Sequence, residues 1–136
     1  MKSLARHVDF RGHGIARRCR QATVRTEAVA KACCPDAFTR RIGRKPRVFD
    51  CTAGLGRDSL VLACLGCDVV AVESSAPVYT ALRDACQSLL ISAEHLASSP
   101  AHIAIRQRLL FAHGDSCHVL QHIRDSTERS QPGREH

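Results

Sequence analysis

The sequence predicts an α/β fold, a parallel sheet flanked by helices, from three observations. The apolar run Val48-Phe49 reaches Asp50-Cys51-Thr52 and then the glycine-bearing turn Ala53-Gly54-Leu55-Gly56. A helical pattern follows from Leu55 to Leu65, and a second apolar run, Val69 to Val72, ends on Glu73. A strand, a tight turn, a helix and a strand tipped by an acid form the unit with which α/β folds bind nucleoside-like ligands. Glycines at 54 and 56 let the backbone turn sharply and let a ligand approach it.

Each element follows in chain order. Val8-Asp9-Phe10 is a weak edge-strand candidate, and Thr26 to Cys34 reads as a helix. Val48 to Cys51 is the first core strand, Asp68 to Val72 the second and Leu109 to Ala112 the third. Helices are expected at Leu55 to Leu65, Ala76 to Leu96, Ile103 to Arg108 and Cys117 to Arg124. Strands alternating with helices imply parallel pairing with right-handed crossovers. Seven strands make a complete sheet of this kind, so the chain reads as the N-terminal half of a doubly wound domain, with an open edge at the third core strand. Three segments are expected: 1–47, basic, with one helix; 48–125, a partial cofactor-binding domain; and 126–136, a polar, disordered tail.

The turn discriminates between nucleosides. A dinucleotide fingerprint would carry a third glycine where this chain has Ser59, and Asp58 at the helix N-terminus would repel a pyrophosphate. S-adenosylmethionine has no phosphate and carries a sulfonium and an ammonium, so Asp50 and Asp58 suit it better than they suit NAD. A glycine turn in a cofactor-free α/β protein is the remaining alternative.

The same residues carry a family resemblance. Asp50-Cys51-Thr52-Ala53-Gly54-Leu55-Gly56-Arg57-Asp58, with Val61-Leu62-Ala63, Leu65-Gly66-Cys67 and Val72-Glu73, resembles the small-subunit ribosomal RNA guanine-N2 methyltransferase J family. Val8-Asp9-Phe10, the segment Arg25 to Ala32, Arg106-Gln107-Arg108-Leu109 and His113-Gly114-Asp115-Ser116 are similar to flanking segments of that family, in the same order. The resemblance implies a class I (Rossmann-like) methyltransferase fold, S-adenosylmethionine as cofactor, small-subunit ribosomal RNA as partner and a cytoplasmic location. Carried over by position, the family's cofactor contacts fall on Arg57, Asp58, Glu73, Ser74, Asp115 and Ser116, beside Asp50, Gly54 and Gly56 of the turn. Ser74 stands where the family usually has Arg, and Asp115 where it has a small or hydroxyl residue. The family's acceptor motif, Asp-Pro-Met-Phe/Tyr-Pro, has no counterpart: Cys34, Lys45, Ala76, Ser99 and Gln131 precede the five prolines. Such a motif holds the exocyclic amine and stacks the extruded base, so catalytic residues are not assigned and the chain is expected to stop before that strand. A non-catalytic remnant and a small RNA-binding protein are the competing readings.

Charge is divided along the chain. Residues 1–47 hold thirteen Lys or Arg against three acids, and residues 48–136 seven against ten. Arg17, Arg18, Arg20 and Arg25 are the candidate phosphate contacts. With seventeen Arg against three Lys, a solvated segment from a GC-biased genome has the same look. The eight cysteines include Cys64-x-x-Cys67, but no second pair at ligand spacing, and His118 and His122 have no third ligand, so no metal is expected. Met1 to Arg20 lacks the apolar core of a signal peptide, no segment is apolar enough to span a membrane, and the open sheet edge is a candidate for self-association.

Overall fold

The structure, a computed structural model, describes residues 9–33, 35–91 and 99–129. Its elements are α1 (His13–Gln21), α2 (Ala28–Cys33), α3 (Pro35–Ile42), β1 (Arg47–Asp50), α4 (Arg57–Cys64), β2 (Asp68–Glu73), α5 (Ala76–Leu90), α6 (Pro100–Gln107), β3 (Leu109–His113) and α7 (Ser116–Arg129). The described strands form one parallel sheet in the order β1-β2-β3. The outer edges of β1 and β3 therefore have no strand beside them among the described residues, whereas the sequence pointed to β3 alone.

Register divides the sheet into two faces. Asp50, Ala71 and Phe111 are register partners, as are Phe49, Val70 and Leu110. On the first face Ala71 is fully buried, and Phe111 meets Phe10 with ring centroids 6.4 Å apart. Leu60, Val61, Leu62 and Ala63 of α4 are all buried, because α4 lies between the sheet and the helices α1 and α6. A helix enclosed in this way has an apolar run rather than a stripe, and so gives a weak amphipathic signal in the sequence. The second face carries α7, and between α7 and the sheet lies a groove of about 600 Å³ lined by Phe49, Val70, Leu110, Leu120 and Ile123. Leu110 remains 61% exposed there.

Three sequence expectations are corrected. Asp9 and Phe10 form no strand: Phe10 sits in a turn with 2% exposure and plugs the core against Phe111, while Val8 lies outside the described residues. Among its described residues the basic segment holds three helices, α1, α2 and α3, instead of one. Pro35 starts α3, since a first-turn proline has no amide hydrogen to lose. The helix placed at Cys117 to Arg124 runs from Ser116 through Arg129, past the tail boundary expected at 126. Residues 130–136, together with 92–96 of the long helix expected after Ala76, lie outside the described residues.

Gly56 is the tightest position in the fold. It is left-handed, φ +70°, and a Cβ there would come within 2.7 Å of both Leu82 Cδ2 and Phe111 Cζ. Gly56→Ala combines backbone strain with overpacking, at a cost of about 2–4 kcal/mol. Urea unfolding followed by circular dichroism should show that loss. Gly14→Ala, in α1 with open space around it, should instead be neutral or stabilise by about 0.5 kcal/mol.

Candidate functional site

The turn between β1 and α4 is built by two carboxylates. Asp50, at the end of β1, accepts hydrogen bonds from the Thr52 amide at 3.0 Å and from the Ser59 hydroxyl. Ser59 is 1% exposed. The residue that replaces a third glycine is thus the clasp holding the first turn of α4 to the end of β1. Glu73, at the tip of β2, accepts from the Gly54 amide at 2.9 Å through Oε2 and from the Ser75 amide at 2.8 Å through Oε1. One side chain ties the turn after β1 to the turn after β2. Two further lone-pair sites on the carboxylate stay available to a hydroxyl donor.

The two glycines of the turn have different causes. Gly54 is left-handed, φ +52°, and a Cβ there would meet only Thr52 O at 3.9 Å, so its outer side is open. Gly56 is required by packing beneath Leu82 and Phe111. Gly54 thus leaves room for a ligand's approach, and packing alone accounts for the missing Cβ of Gly56.

Around the turn lies a cavity of about 500 Å³ bordered by Asp50, Thr52, Gly56, Arg57, Asp58 and Arg18. Asp58 is in the first turn of α4, where the helix dipole favours a carboxylate, and its Oδ1 accepts from Arg18 Nη2 at 2.8 Å. Arg18 also grips Glu27, with Nε at 3.0 Å and Nη2 at 2.8 Å from Oε2. The Glu27 and Asp58 carboxylates together push the Arg18 guanidinium further up from its already high range. Of the four arginines expected to face phosphate, Arg18 is thus turned inward on two acids. Arg17, Arg20 and Arg25 are exposed.

At the opposite end of the strand tips, Ser74 is exposed and its carbonyl lies 3.2 Å from His113 Nε2. The His113 ring stacks on Tyr79, with centroids 5.3 Å apart. Sequence reading missed this pair, because a tyrosine in a helix and a histidine closing a strand carry no spacing signal. Asp115 precedes α7 and its Oδ1 accepts from the His118 amide at 3.1 Å, so it caps the helix. Ser116 begins that helix. Glu73-Ser74 and Asp115-Ser116 are brought together by the register pairing of Glu73 with His113.

Among the described cysteines Cys51 and Cys117 are exposed, and Cys33, Cys64 and Cys86 are half-buried. Cys19 and Cys67 are buried, and Cys64 lies in hydrogen-bonding contact with Cys19, which together with burial pushes its thiol far up. Burial pushes the Cys86 thiol up to about 12. Among the described residues no group of three His, Cys, Asp or Glu is placed to hold a metal ion, and no helix is long and apolar enough to cross a membrane.

A parallel sheet with a glycine turn after β1 and a carboxylate at the tip of β2 defines a nucleoside-binding type of α/β protein, the type to which class I methyltransferases belong. Residues 1–129 match the family described as "Putative SAM-dependent methyltransferase", and the chain belongs to that family. It is 34% identical to a ribosomal RNA small subunit methyltransferase J from Agrobacterium fabrum, over 85% of this chain and 50% of that protein. A protein of the same name from Chromohalobacter salexigens is 40% identical over 83% of this chain and 40% of the relative. The crystal structure of a SAM-dependent methyltransferase from Neisseria gonorrhoeae superposes with a TM-score of 0.64 at 30% identity, covering 88% of this chain and 43% of that one. The chain spans about half the length, or less, of these proteins.

Because Glu73 joins two turns, Glu73→Ala should destabilise the fold by on the order of 1.5–3 kcal/mol, the range for hydrogen bonds to a charged group. Glu73→Gln keeps one acceptor oxygen and should fall between Glu73→Ala and the unaltered protein. Equal unfolding midpoints for all three proteins would show that the carboxylate does not hold the turns.

Proposed function

We propose that this chain is the cofactor-holding portion of an S-adenosylmethionine-dependent methyltransferase acting on guanine N2 of small-subunit ribosomal RNA. The observation that carries the proposal is the Glu73 carboxylate, fixed by the Gly54 and Ser75 amides beside the open side of Gly54. That geometry fits a ribose diol: the hydroxyls donate to an acceptor already oriented, and no Cβ stands in the way. Glu73 and Gly54 would hold the ribose. Ser74, Asp115 and Ser116 would border the adenine, and Arg57 and Asp58 the amino-acid end. Asp50, with both oxygens bonded within the protein, shapes the turn. The cofactor supplies an electrophilic methyl on a cationic sulfur. The residues of this chain supply position, which in transfer reactions is worth several kcal/mol of barrier.

The names of the relatives support ribosomal RNA as the partner, and the exposed Arg17, Arg20 and Arg25 offer cationic groups to its phosphates. A cytoplasmic location follows from that partner. The proposed residues include no counterpart of an acceptor-side motif, so the 136-residue chain by itself is expected to bind cofactor without methylating RNA at the rate of a full-length relative.

Isothermal titration with S-adenosylmethionine tests the cofactor site. Binding should be measurable and should weaken in Glu73→Ala by about tenfold or more; an unchanged affinity would remove Glu73 from the site. Filter binding to a small-subunit ribosomal RNA fragment tests the arm. If Arg17, Arg20 and Arg25 each meet a phosphate, the logarithm of affinity should fall with the logarithm of salt at a slope of roughly 2–3. A flat response would leave the arm solvated. Self-association is proposed through the open strand edges and the groove over Leu110. Leu110→Glu should then lower the apparent mass in sedimentation, and an unaltered mass would reject that surface.

A further inference from the structure

We propose that Arg18 is a positioning residue for the cofactor's amino-acid end, acting through Asp58. The inference rests on the cofactor reading of the preceding subsection and names a residue outside the turn that this reading needs. Arg18 belongs to α1, forty residues from Asp58 in sequence, yet it borders the cavity at the turn together with Asp50, Arg57 and Asp58.

The geometry is ordered in two stages. Glu27, only 13% exposed at its side chain, receives Nε and Nη2 of Arg18 and fixes the plane of the guanidinium. A two-pronged contact of this kind sets direction as well as distance. Nη2 is then 2.8 Å from Asp58 Oδ1. The Asp58 side chain is 61% exposed, and an isolated ion pair so open to water contributes little, since both long side chains must be held still. Here Glu27 has already immobilised the arginine, and the rotamer left to be selected is that of Asp58. With Oδ1 engaged, Oδ2 is the oxygen left for a donor arriving from the cavity. An ammonium group is the donor that the carboxylate's charge suits, and Arg57 on the adjacent position suits a carboxylate. A zwitterionic amino-acid moiety presents both groups.

A merely structural role and a positioning role separate when two ligands are compared. S-adenosylhomocysteine carries the amino-acid end; 5′-methylthioadenosine has the same adenosine and thioether without it, and neither has net charge near neutrality. Removing the Arg18 charge therefore changes the general potential at the site equally little for both. Titrate each ligand into the whole chain and into Arg18→Gln, Arg18→Lys and Asp58→Asn, after checking by circular dichroism that each variant is folded.

The expected result is a loss of about tenfold for S-adenosylhomocysteine in Arg18→Gln and in Asp58→Asn, with 5′-methylthioadenosine unchanged. Arg18→Lys should restore part of the affinity, because an ammonium can reach one carboxylate but cannot fork across both. The double variant Arg18→Gln/Asp58→Asn should be no worse than either single one, as expected for residues acting through one contact. A parallel loss of both ligands in Arg18→Gln overturns the proposal and leaves Arg18 as a brace between α1 and α4. Tighter binding of S-adenosylhomocysteine also overturns it, since Arg18 would then be competing for Asp58. If Arg18→Gln does not fold, Arg18→Lys decides: a loss confined to S-adenosylhomocysteine supports the proposal, and no loss or an equal loss of the two ligands rejects it. Failure of the unaltered chain to bind either ligand would instead defeat the cofactor reading itself.

Discussion

Everything in the site depends on the absence of a side chain at Gly56. The first turn of α4 can lie beneath Leu82 of α5 and Phe111 of β3 only because no Cβ intervenes; one would stand 2.7 Å from each. That contact fixes how close the turn after β1 comes to the other elements of the sheet. Once it is set, Glu73 at the tip of β2 can reach the Gly54 amide. Asp50 can then hold the start of α4 through Ser59. The left-handed backbone at Gly56 and the close packing around it are one requirement, met by the same residue.

The carboxylates of the site divide by how their oxygens are used. Asp50 spends both on the protein and is an architectural residue. Glu73 also contacts two amides, but these are the amides of two separate turns, so orientation comes with accessibility retained. Asp58 is the most open of the three and is held from one side by Arg18. Preorganisation of an acceptor in this manner is more economical than drawing a mobile side chain into place when ligand arrives.

The basic N-terminal segment is correspondingly of two kinds. Arg18 points inward and joins α1 to α4 through Asp58 and to the start of α2 through Glu27, whereas Arg17, Arg20 and Arg25 remain exposed. Within α1, Arg17 and Arg20 thus differ in environment from Arg18, because successive residues of a helix lie about 100° apart, while Arg25 lies in the turn between α1 and α2.

The sequence by itself determined the strand–turn–helix–strand unit from Val48 to Glu73. Its signals are local: apolar runs that end at a turn, two glycines at fixed spacing, an acid closing the second run. The resemblance to a methyltransferase family rested on the same string, and the family match over residues 1–129 agrees with it. What only the tertiary structure decided are the partners of residues far apart in the chain. Helix α1 was illegible because its apolar face is short, Ile15 and Cys19 against the core, and its other anchor is a half-buried arginine bound to Glu27 and Asp58. Phe10 looked like an edge strand and is a core plug, since the aromatic it meets lies a hundred residues away. Ser59 looked like a departure from a glycine pattern until Asp50 was seen to need its hydroxyl. Local propensity and spacing are written along the chain, whereas a hydrogen bond or a packing contact depends on where folding brings its second partner.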